Sequence, residues 1–379
     1  MSSKHTIQNE FDEEQQDVLK SIRIERIVLP ILIGIGVVIY LVLKQFDVEE
    51  FYDIMAEASG ATLFWVLLSF LILATRHLAY AVRLRILSDG EFSWKKCIEL
   101  IFIWEFSAAV SPTSVGGSAV AFFVLAQEKI STAKTATIVL YTIVLDTLFF
   151  VGSLPILFVI FGTEMIRPVA EDGGSFLDGW GYYFLFAYGL MATYGTLFYW
   201  GLFRSPVQIK RLLLWVTGFG FLKRYRLKAE ELGNEIIVAS RELKRHQPLF
   251  HLKAFLATAA AWSCRFLLLN ALIIAFTSVP VEFWTQFKLY ARLETMFVII
   301  AFSPTPGGAG FVEILFNGFL TDYMDNPTYS TTISTLWRIM TYYSYLLLGA
   351  IIIPNWIRNI LNERAKKRAA QRDNEEEEE

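Results

Sequence analysis

Six long apolar runs alternate with polar segments along the chain. Their bounds are roughly 27–43, 61–82, 135–162, 182–203, 253–277 and 333–356. A helix that crosses a membrane needs about 20 mostly apolar residues, so each run is a candidate spanning helix. The pattern predicts an all-α integral membrane protein with six spanning helices.

Two further stretches, 97–126 and 289–320, are apolar but interrupted. Each contains two short apolar arms around a segment rich in proline and glycine, SPTSVGG at 111–117 and SPTPGGAG at 303–310. Proline removes a backbone donor and disfavours helix in the residue before it, while glycine permits turns that other residues resist. Each stretch is therefore predicted to form a re-entrant helical hairpin.

The composition agrees with a membrane protein. The 379 residues are 54% hydrophobic and 19% charged, with a mean hydropathy of +0.44, which is more apolar than an ordinary soluble domain. Cys97 and Cys264 have neither metal-ligand nor disulfide spacing, and we interpret both as packing residues. No nucleotide-binding loop, nucleophile elbow or metal cluster stands out. We expect no metal, no cofactor and no nucleic-acid partner.

The distribution of lysine and arginine predicts the orientation, because positively charged loops tend to stay cytoplasmic. The polar N terminus, the loop around Arg83 to Lys96, the segment 204–252 and the C terminus are basic. The acidic segments that would lie outside are 44–60, 163–181 and 321–328. Both termini are then expected in the cytoplasm, at a bacterial inner membrane. The hairpin 97–126 would enter from the cytoplasm and 289–320 from outside, although Lys288 and Arg292 weaken the second assignment.

The domain organisation follows from these segments. We predict a cytoplasmic N-terminal segment (1–26), a single transmembrane domain (27–356) with a cytoplasmic loop (204–252), and a charged cytoplasmic tail (357–379). We expect Glu375 to Glu379 to be disordered, and 227–246 to form an amphipathic helix in the membrane interface.

An internal repeat is visible within the transmembrane domain. Ser-Pro-Thr at 111–113 recurs 192 positions later at 303–305, and the same offset relates Asp146 to Arg338. The repeats would span about 61–162 and 253–356, each a span, a hairpin and a span, in opposite orientations. Many secondary transporters have such an inverted-topology repeat, with the substrate site near the midplane.

Ionisable residues inside apolar runs mark a candidate substrate site, because they are costly in a membrane. Arg76, Arg265 and Arg338 are the main candidates, since guanidinium groups bind phosphate or carboxylate through two parallel hydrogen bonds. Further acidic candidates within the runs or hairpins are Glu99, Glu105, Asp146, Glu294 and Glu313. His77 is interpreted as an interior histidine that alternatively titrates near neutrality. In the alternative interpretation the charges only pair with one another, Arg338 with Glu313 or Asp146 with Arg76.

The two interrupted motifs supply polar groups of their own. The start of a returning half-helix presents free amides to an anion such as phosphate, and serine and threonine hydroxyls can cap the turn or bind ligand. The candidate residues are Ser111, Thr113, Gly116 and Gly117 in the first motif and Ser303, Thr305, Gly307 and Gly308 in the second. The alternative is that the glycines are close-packing positions between helices.

From about 61 to 356 the chain resembles the flippase-like, or lysylphosphatidylglycerol synthase transmembrane, family. The resemblance is carried by Pro306-Gly307-Gly308-Ala309-Gly310 with Glu313, by Trp337-Arg338, Tyr342-Tyr343 and Gly349, by Arg76, Arg83 and Arg85 before Leu87, and by Pro112 through Gly117. The chain departs from the family at Gly117 to Ala121, where members often have Gly-Glu-x-x-Arg. It also departs at Ile143, where members often have an arginine three residues before the aspartate that corresponds to Asp146. The first half has therefore less charge than its relatives.

The resemblance implies movement of phospholipids or lipid-linked compounds between leaflets. We therefore expect translocation of an anionic lipid or lipid-linked phosphate, membrane lipids as partners, and no enzymatic activity. The aminoacyltransferase domain that some relatives carry is not expected, because the largest soluble segment has only about 50 residues. Three alternatives stay open: a carrier of a small soluble anion, an enzyme or subunit acting on lipid-linked sugars, and a noncatalytic partner of a lipid-synthesis enzyme.

Overall fold

The computed structural model of the protein describes Tyr52, Ala56 and the ranges 58–110, 114–128, 130–166, 179–302, 311–324 and 327–378. Regular secondary structure within these ranges is entirely helical. The all-α prediction is therefore confirmed for this part of the chain.

Twelve α-helices can be followed in the described ranges. They are α1 (Gly60–Leu87), α2 (Trp94–Val110), α3 (Ser114–Ala126), α4 (Thr132–Phe161), α5 (Gly179–Tyr199), α6 (Pro206–Val216), α7 (Arg226–Leu243), α8 (Pro248–Phe276), α9 (Phe283–Ile300), α10 (Phe311–Phe319), α11 (Pro327–Arg338) and α12 (Ser344–Glu378). Short 3₁₀ turns cover Gly162–Met165, Gly220–Tyr225 and Thr321–Tyr323, and π-helical turns cover Trp200–Arg204 and Ile339–Tyr343.

The helix starts follow local sequence rules. Ser59 caps α1 by accepting from the amide of Thr62 at 3.1 Å, and Ser131 caps α4 by accepting from the amide of Lys134 at 3.2 Å. Such caps satisfy one of the amides that a helix start leaves without an internal partner. Pro248 stands at the start of α8, where its missing N–H costs nothing.

Four helical segments are long and apolar enough to cross a membrane: Gly60–Leu87, Thr132–Met165, Pro248–Phe276 and Thr332–Ile360. They correspond to four of the six predicted runs. The run 182–203 forms α5 and the π-helical turn after it but is not one of these four, and the run 27–43 lies outside the described residues. The described structure therefore supports four spans.

The two interrupted stretches each contain a pair of short helices. Helices α2 and α3 flank residues 111–113, and α9 and α10 flank residues 303–310. Both intervening segments lie outside the described residues. In both halves the order is a long helix, two short helices and then helical segments that supply a candidate span, which is the order expected of a repeat.

Close helix packing holds these elements together. Helices α1 and α8 pack along each other more extensively than any other pair of described elements. Helix α12 packs on α2 at Gly349, where an added Cβ would lie 2.5 Å from the Phe106 ring. Only glycine fits at this position, because real Cβ contacts are longer. Gly349, which carried part of the family resemblance, therefore has a packing role.

Two predictions about the polar segments need correction. Helix α7 buries one face, including Gly233, Ile236 and Leu243, and it packs against α4 and α6, so protein covers the face that we had assigned to the membrane interface. The tail expected to be disordered continues as α12 through Glu378. Its alanine, arginine, lysine and glutamate residues are all good helix formers, which explains the difference.

Candidate functional site

Arg76 lies at the centre of a buried polar cluster. Its side chain comes from α1 and is fully buried, with a relative accessibility of 0%. Its Nη2 donates to Glu105 Oε2 at 2.6 Å and its Nη1 donates to the Tyr345 hydroxyl at 3.1 Å. Arg76 therefore joins α1 to the short helix α2 and to α12.

Arg265, from α8, approaches the same carboxylate oxygen. Its Nη2 lies 3.6 Å from Glu105 Oε2, and its guanidinium lies over the rings of Trp262 and Phe297 at 4.9 and 5.3 Å. The Arg265 side chain has a relative accessibility of 21%. Its Nε is buried without a hydrogen-bond partner among the described residues. The Nε of Arg76 is also without a partner among the described residues, but Arg76 makes two hydrogen bonds through its Nη atoms, whereas Arg265 lies 3.6 Å from Glu105. Arg265 is therefore less completely bonded than Arg76.

We call Arg76, Glu105, Arg265 and Tyr345 the arginine cluster. It holds two permanent positive charges against one carboxylate, so one positive charge is in excess within the cluster. In a low-dielectric interior such an excess is costly unless an anion compensates it. The cluster can therefore accept a phosphate or carboxylate group, with Arg265 as the arginine whose donors are more available.

His77, next to Arg76 on α1, has partners on both ring nitrogens. Its Nε2 lies 3.2 Å from the carbonyl oxygen of Ile98, and its Nδ1 lies 3.2 Å from the Tyr345 hydroxyl. Because a carbonyl can only accept, Nε2 carries a proton. The Tyr345 hydroxyl already accepts from Arg76, so it is free to donate to Nδ1. This arrangement suits a neutral histidine and supports its interpretation as an interior residue.

Asp146 pairs with Arg83. The alternative interpretation had paired it with Arg76, which is wrong. Arg83 Nη1 donates to Asp146 Oδ1 at 2.6 Å, and Trp262 Nε1 donates to the same oxygen at 2.9 Å. Arg83 had been assigned to a cytoplasmic loop, but α1 continues past it and its side chain is 6% exposed. The correction has a simple reason: the ion pair neutralises Arg83 and lets α1 extend by another turn.

The third predicted arginine, Arg338, is buried at the end of α11, with 6% exposure. Four residues later, Tyr342 donates to the carbonyl oxygen of Ala109 at 3.3 Å. This contact brings the segment after Arg338 to the end of α2, beside the first interrupted motif. The segment that follows Arg338 therefore contacts the end of α2.

The motif residues can be reported only in part. Ser111, Thr113, Ser303, Thr305, Gly307 and Gly308 lie outside the described residues. Gly116 and Gly117 belong to the first turn of α3, and Glu313 belongs to α10, but their surroundings are not described. Their suggested contacts with an anion, and the alternative pairing of Glu313 with Arg338, stay predictions.

Lys288 and Arg292, which weakened the predicted orientation of the second hairpin, are both paired. Arg292 donates to the carbonyl oxygens of Glu164 and Phe319 and to the carboxylate of Asp322, and Lys288 lies 3.0 Å from a carboxylate oxygen of Glu164. These contacts hold α9 to the acidic connections after α4 and α10. Their charges are therefore compensated locally.

Asp89, Glu242 and His246 form a group whose potential ligand atoms lie within 4.8 Å of one another. Lys134 already contributes a cation there, because its Nζ donates to Asp89 and to Glu242. The ammonium group compensates the two carboxylates in the way that a metal ion would. We interpret the group as an electrostatic contact among α1, α4, α7 and α8.

A cavity of about 540 Å³ opens beside this contact, between the end of α1 and the start of α8. Its lining includes Arg85, His246 and Lys253, together with the half-exposed ring of Trp94. Arg85 lies over that ring at 5.1 Å. The cavity combines the cations of Arg85 and Lys253 with apolar surface, and its lining also includes the carboxylate of Asp89.

The sequence did not reveal the central role of Glu105, the contribution of Tyr345, or the burial of Arg83. A carboxylate in a short arm was a visible signal for Glu105. Tyr345 had no distinguishing signal, because the chain contains 16 tyrosines.

The chain matches the family described as the lysylphosphatidylglycerol synthase TM region over residues 27–349. The chain belongs to this family. It is also 23% identical over 342 residues to the UPF0104 membrane protein of Archaeoglobus fulgidus, a match that covers 85% of this chain and 94% of that protein. No solved structure matches it. Family membership and the four apolar helices together make it a multi-pass membrane protein.

Proposed function

We propose that the protein moves an anionic lipid, a phospholipid or a lipid-linked phosphate, between the two leaflets of a membrane. The lipid headgroup would bind at the arginine cluster while its acyl chains stay in the bilayer. The protein would act as a transporter without changing its substrate chemically. The description of the family to which it belongs names a synthase of a phospholipid, lysylphosphatidylglycerol, which supports a phosphate-containing lipid headgroup as the cargo.

The observation that carries the proposal is the excess of positive charge beside Glu105. Arg76 and Arg265 approach the same carboxylate oxygen, at 2.6 and 3.6 Å. A permanent cation without full compensation is expensive within a membrane, and such residues commonly mark a substrate route. An anionic headgroup at Arg265 would compensate the excess charge.

The route that we infer uses the two pairs of short helices. They would form re-entrant hairpins of an inverted-topology repeat that meet near the midplane. Rocking of one repeat against the other would expose the arginine cluster to each leaflet in turn. The cavity beside Arg85 and Lys253 would receive the headgroup on the cytoplasmic side, with both termini on that side of a cytoplasmic (inner) membrane.

The experiment is headgroup translocation in proteoliposomes that contain fluorescent anionic or zwitterionic lipids. We expect the wild type to accelerate movement of the anionic lipid above that in empty vesicles. Arg265→Ala should lower this acceleration by about tenfold or more, because it removes charge-assisted hydrogen bonds worth roughly 1.5–3 kcal/mol. Arg265→Lys should fall between the two, since it keeps the charge and loses the planar fork.

A matched control is Arg358→Ala, which removes an exposed arginine of α12 that contacts only Asn355 among the described residues. This variant should translocate lipid like the wild type. Equal rates for wild-type and empty vesicles with every lipid would contradict the proposal. Transport of a soluble organic phosphate in the same vesicles would then favour the soluble-anion carrier, and an unchanged rate in Arg265→Ala would remove the arginine cluster from the mechanism.

A further inference from the structure

Glu294 is a fully buried carboxyl group in the second short arm. It lies on α9, and its relative accessibility is 0%. One of its oxygens contacts the hydroxyl of Ser153 on α4, and the other, Oε2, is buried without a hydrogen-bond partner among the described residues. An ionised carboxylate in this environment would be costly, because neither charge nor hydrogen bonds compensate it.

The Ser153 hydroxyl lies between two acceptors and can donate to Glu294 or to Phe149. Ser153 Oγ is 2.7 Å from the carbonyl oxygen of Phe149 and also within hydrogen-bond distance of Glu294 Oε1. A hydroxyl has one proton, and a carbonyl can only accept. If Ser153 donates to Phe149, its contact with Glu294 is a hydrogen bond only when the carboxyl group carries a proton and donates it to Oγ. A protonated Glu294 satisfies both contacts at once.

The charged and titratable groups around α9 have other partners. Helix α8 contributes Arg265, which pairs with Glu105; α4 contributes Asp146, which pairs with Arg83 and Trp262; and α5 contributes Tyr188, whose hydroxyl donates to the carbonyl of Val151. On α9 itself, the Tyr290 hydroxyl contacts Ser263, and Arg292 pairs with Asp322. The turn after α4 contributes Glu164, which pairs with Lys288, and the described side chains of α10 near this core are apolar.

Among the described residues, no cation lies within ion-pair distance of Glu294. We propose that Glu294 is a proton-binding site, and that its protonation and release couple lipid movement to a proton gradient. The coupling rests on the proposed function, whereas the proton site does not.

The position of Glu294 explains how coupling would work. Helix α9 leads into the second interrupted motif, and Phe297, one turn after Glu294, lies under the guanidinium of Arg265. A movement of α9 that exposes Glu294 to water on one side also moves the ring beside the lipid site. The carboxyl group then releases its proton to water, and reprotonation from the other side lets α9 return to the buried position.

The proton site is tested directly by infrared spectroscopy of the full chain purified in a detergent without ester groups, because the ester carbonyls of phospholipids absorb where a protonated carboxyl group does. Every sample carries Glu235→Gln, because the Glu235 carboxyl group also holds a proton near neutral pH. At neutral pH we expect the carbonyl stretch of a protonated carboxyl group in this background, its loss when Glu294→Gln or Glu294→Met is added, and its retention when Glu105→Gln is added. The Glu105 variant is the matched control, because Glu105 is ionised by its two arginines. Absence of the band from the Glu235→Gln chain, or its persistence when either Glu294 substitution is added, would overturn the proposal, and the Glu235→Gln spectrum decides even if the Glu294 variants do not fold.

The coupling is tested in proteoliposomes with a pH difference of one unit and the membrane potential clamped at zero. For one proton per lipid, the wild type should distribute the fluorescent anionic lipid between leaflets with a ratio approaching about tenfold. Glu294→Gln should still translocate the lipid but leave it evenly distributed. If the wild type translocates the lipid but leaves it evenly distributed between the leaflets, the coupling is overturned. A wild type that moves no lipid would overturn the proposed function, and the infrared spectra would then still decide the proton site.

Discussion

The two short arms α2 and α9 occupy equivalent places in the order of helices, and each carries one interior glutamate. Glu105 on α2 lies 2.6 and 3.6 Å from two guanidinium groups. Glu294 on α9 contacts a serine hydroxyl and has one oxygen without a partner among the described residues. The same residue type is therefore a compensated anion in one arm and, by our inference, a neutral acid in the other.

The difference shows that the environment decides what a membrane carboxyl group can do. Beside arginines, Glu105 stays ionised and positions the cations that, in our proposal, bind the substrate anion. Without a cation, Glu294 is cheaper to bury with its proton. A transporter needs both a site for its cargo and a source of energy, and the two arms would supply one each.

The largest effect is expected when the arginine closest to Glu105 is removed. Arg76→Ala should lower the free energy of unfolding by about 3–5 kcal/mol, because it leaves a buried carboxylate with only one, more distant, arginine. The measurement is thermal or denaturant unfolding of the purified protein in detergent. Arg358→Ala, which removes an exposed arginine, should change stability by less than about 0.5 kcal/mol. Equal stability of the two variants would show that the pair does not hold α1 to α2.

The same substitution in both arms gives the sharpest comparison. Glu105→Gln should destabilise the protein by about 1–3 kcal/mol, since it leaves two arginines without their carboxylate. Glu294→Gln should change stability by less than about 0.5 kcal/mol at neutral pH, because glutamine has the shape and charge of a protonated glutamate. Parallel unfolding curves measure both. A larger loss for Glu294→Gln than for Glu105→Gln would contradict our assignment of charge to the two arms.

The contrast between the arms also marks how far the sequence could lead. Length and apolarity predicted the four spans that the structure supports, because helix length in a membrane depends on local sequence. Arg76 and Arg265 were found for the same reason, as charges within apolar runs. Their convergence on Glu105 was not predictable, because it depends on how α1, α2 and α8 pack.

Arg83 shows a different kind of error, because the local pattern assigned this buried helical residue to a loop. A cluster of basic residues at the end of an apolar run normally marks a loop, and the sequence gives no sign that Asp146, 63 positions later, neutralises Arg83. The partner of a charge in a helical membrane protein is set by helix packing, and it is therefore outside the reach of a local pattern. The same limit applied to Ser153 and Glu294, which are 141 positions apart.

A smaller effect is expected where α2 packs on α12. Gly349→Ala should destabilise the protein by about 1–3 kcal/mol, because the new methyl group would meet the ring of Phe106, the residue after Glu105 in α2, and overpack the contact. Gly152→Ala is the matched control, since it lies in α4 with open space around it, and it should be neutral or slightly stabilising. Lipid translocation should fall only in the first variant. Equal behaviour of both would mean that α2 and α12 separate easily.

The smallest effect concerns a third glutamate, Glu235, which extends the comparison to helix α7, in the segment predicted to be cytoplasmic. Partial burial and the neighbouring Glu231 raise the pKa of its carboxyl group from 4.5 to about 7. Between these values the folded chain holds a proton that the unfolded chain has lost, so this group makes stability fall as the pH rises from about 4.5 to 7. Glu235→Gln should remove this fall, leaving stability unchanged at pH 4 and raising it by about 1 kcal/mol or less at pH 8, since solvent screens a partly exposed group. Unfolding measured at both pH values tests this. If the difference in stability between variant and wild type does not grow with pH, Glu235 does not hold a proton at neutral pH. Partial burial would then be too weak to keep a carboxyl group protonated, in contrast to the complete burial of Glu294.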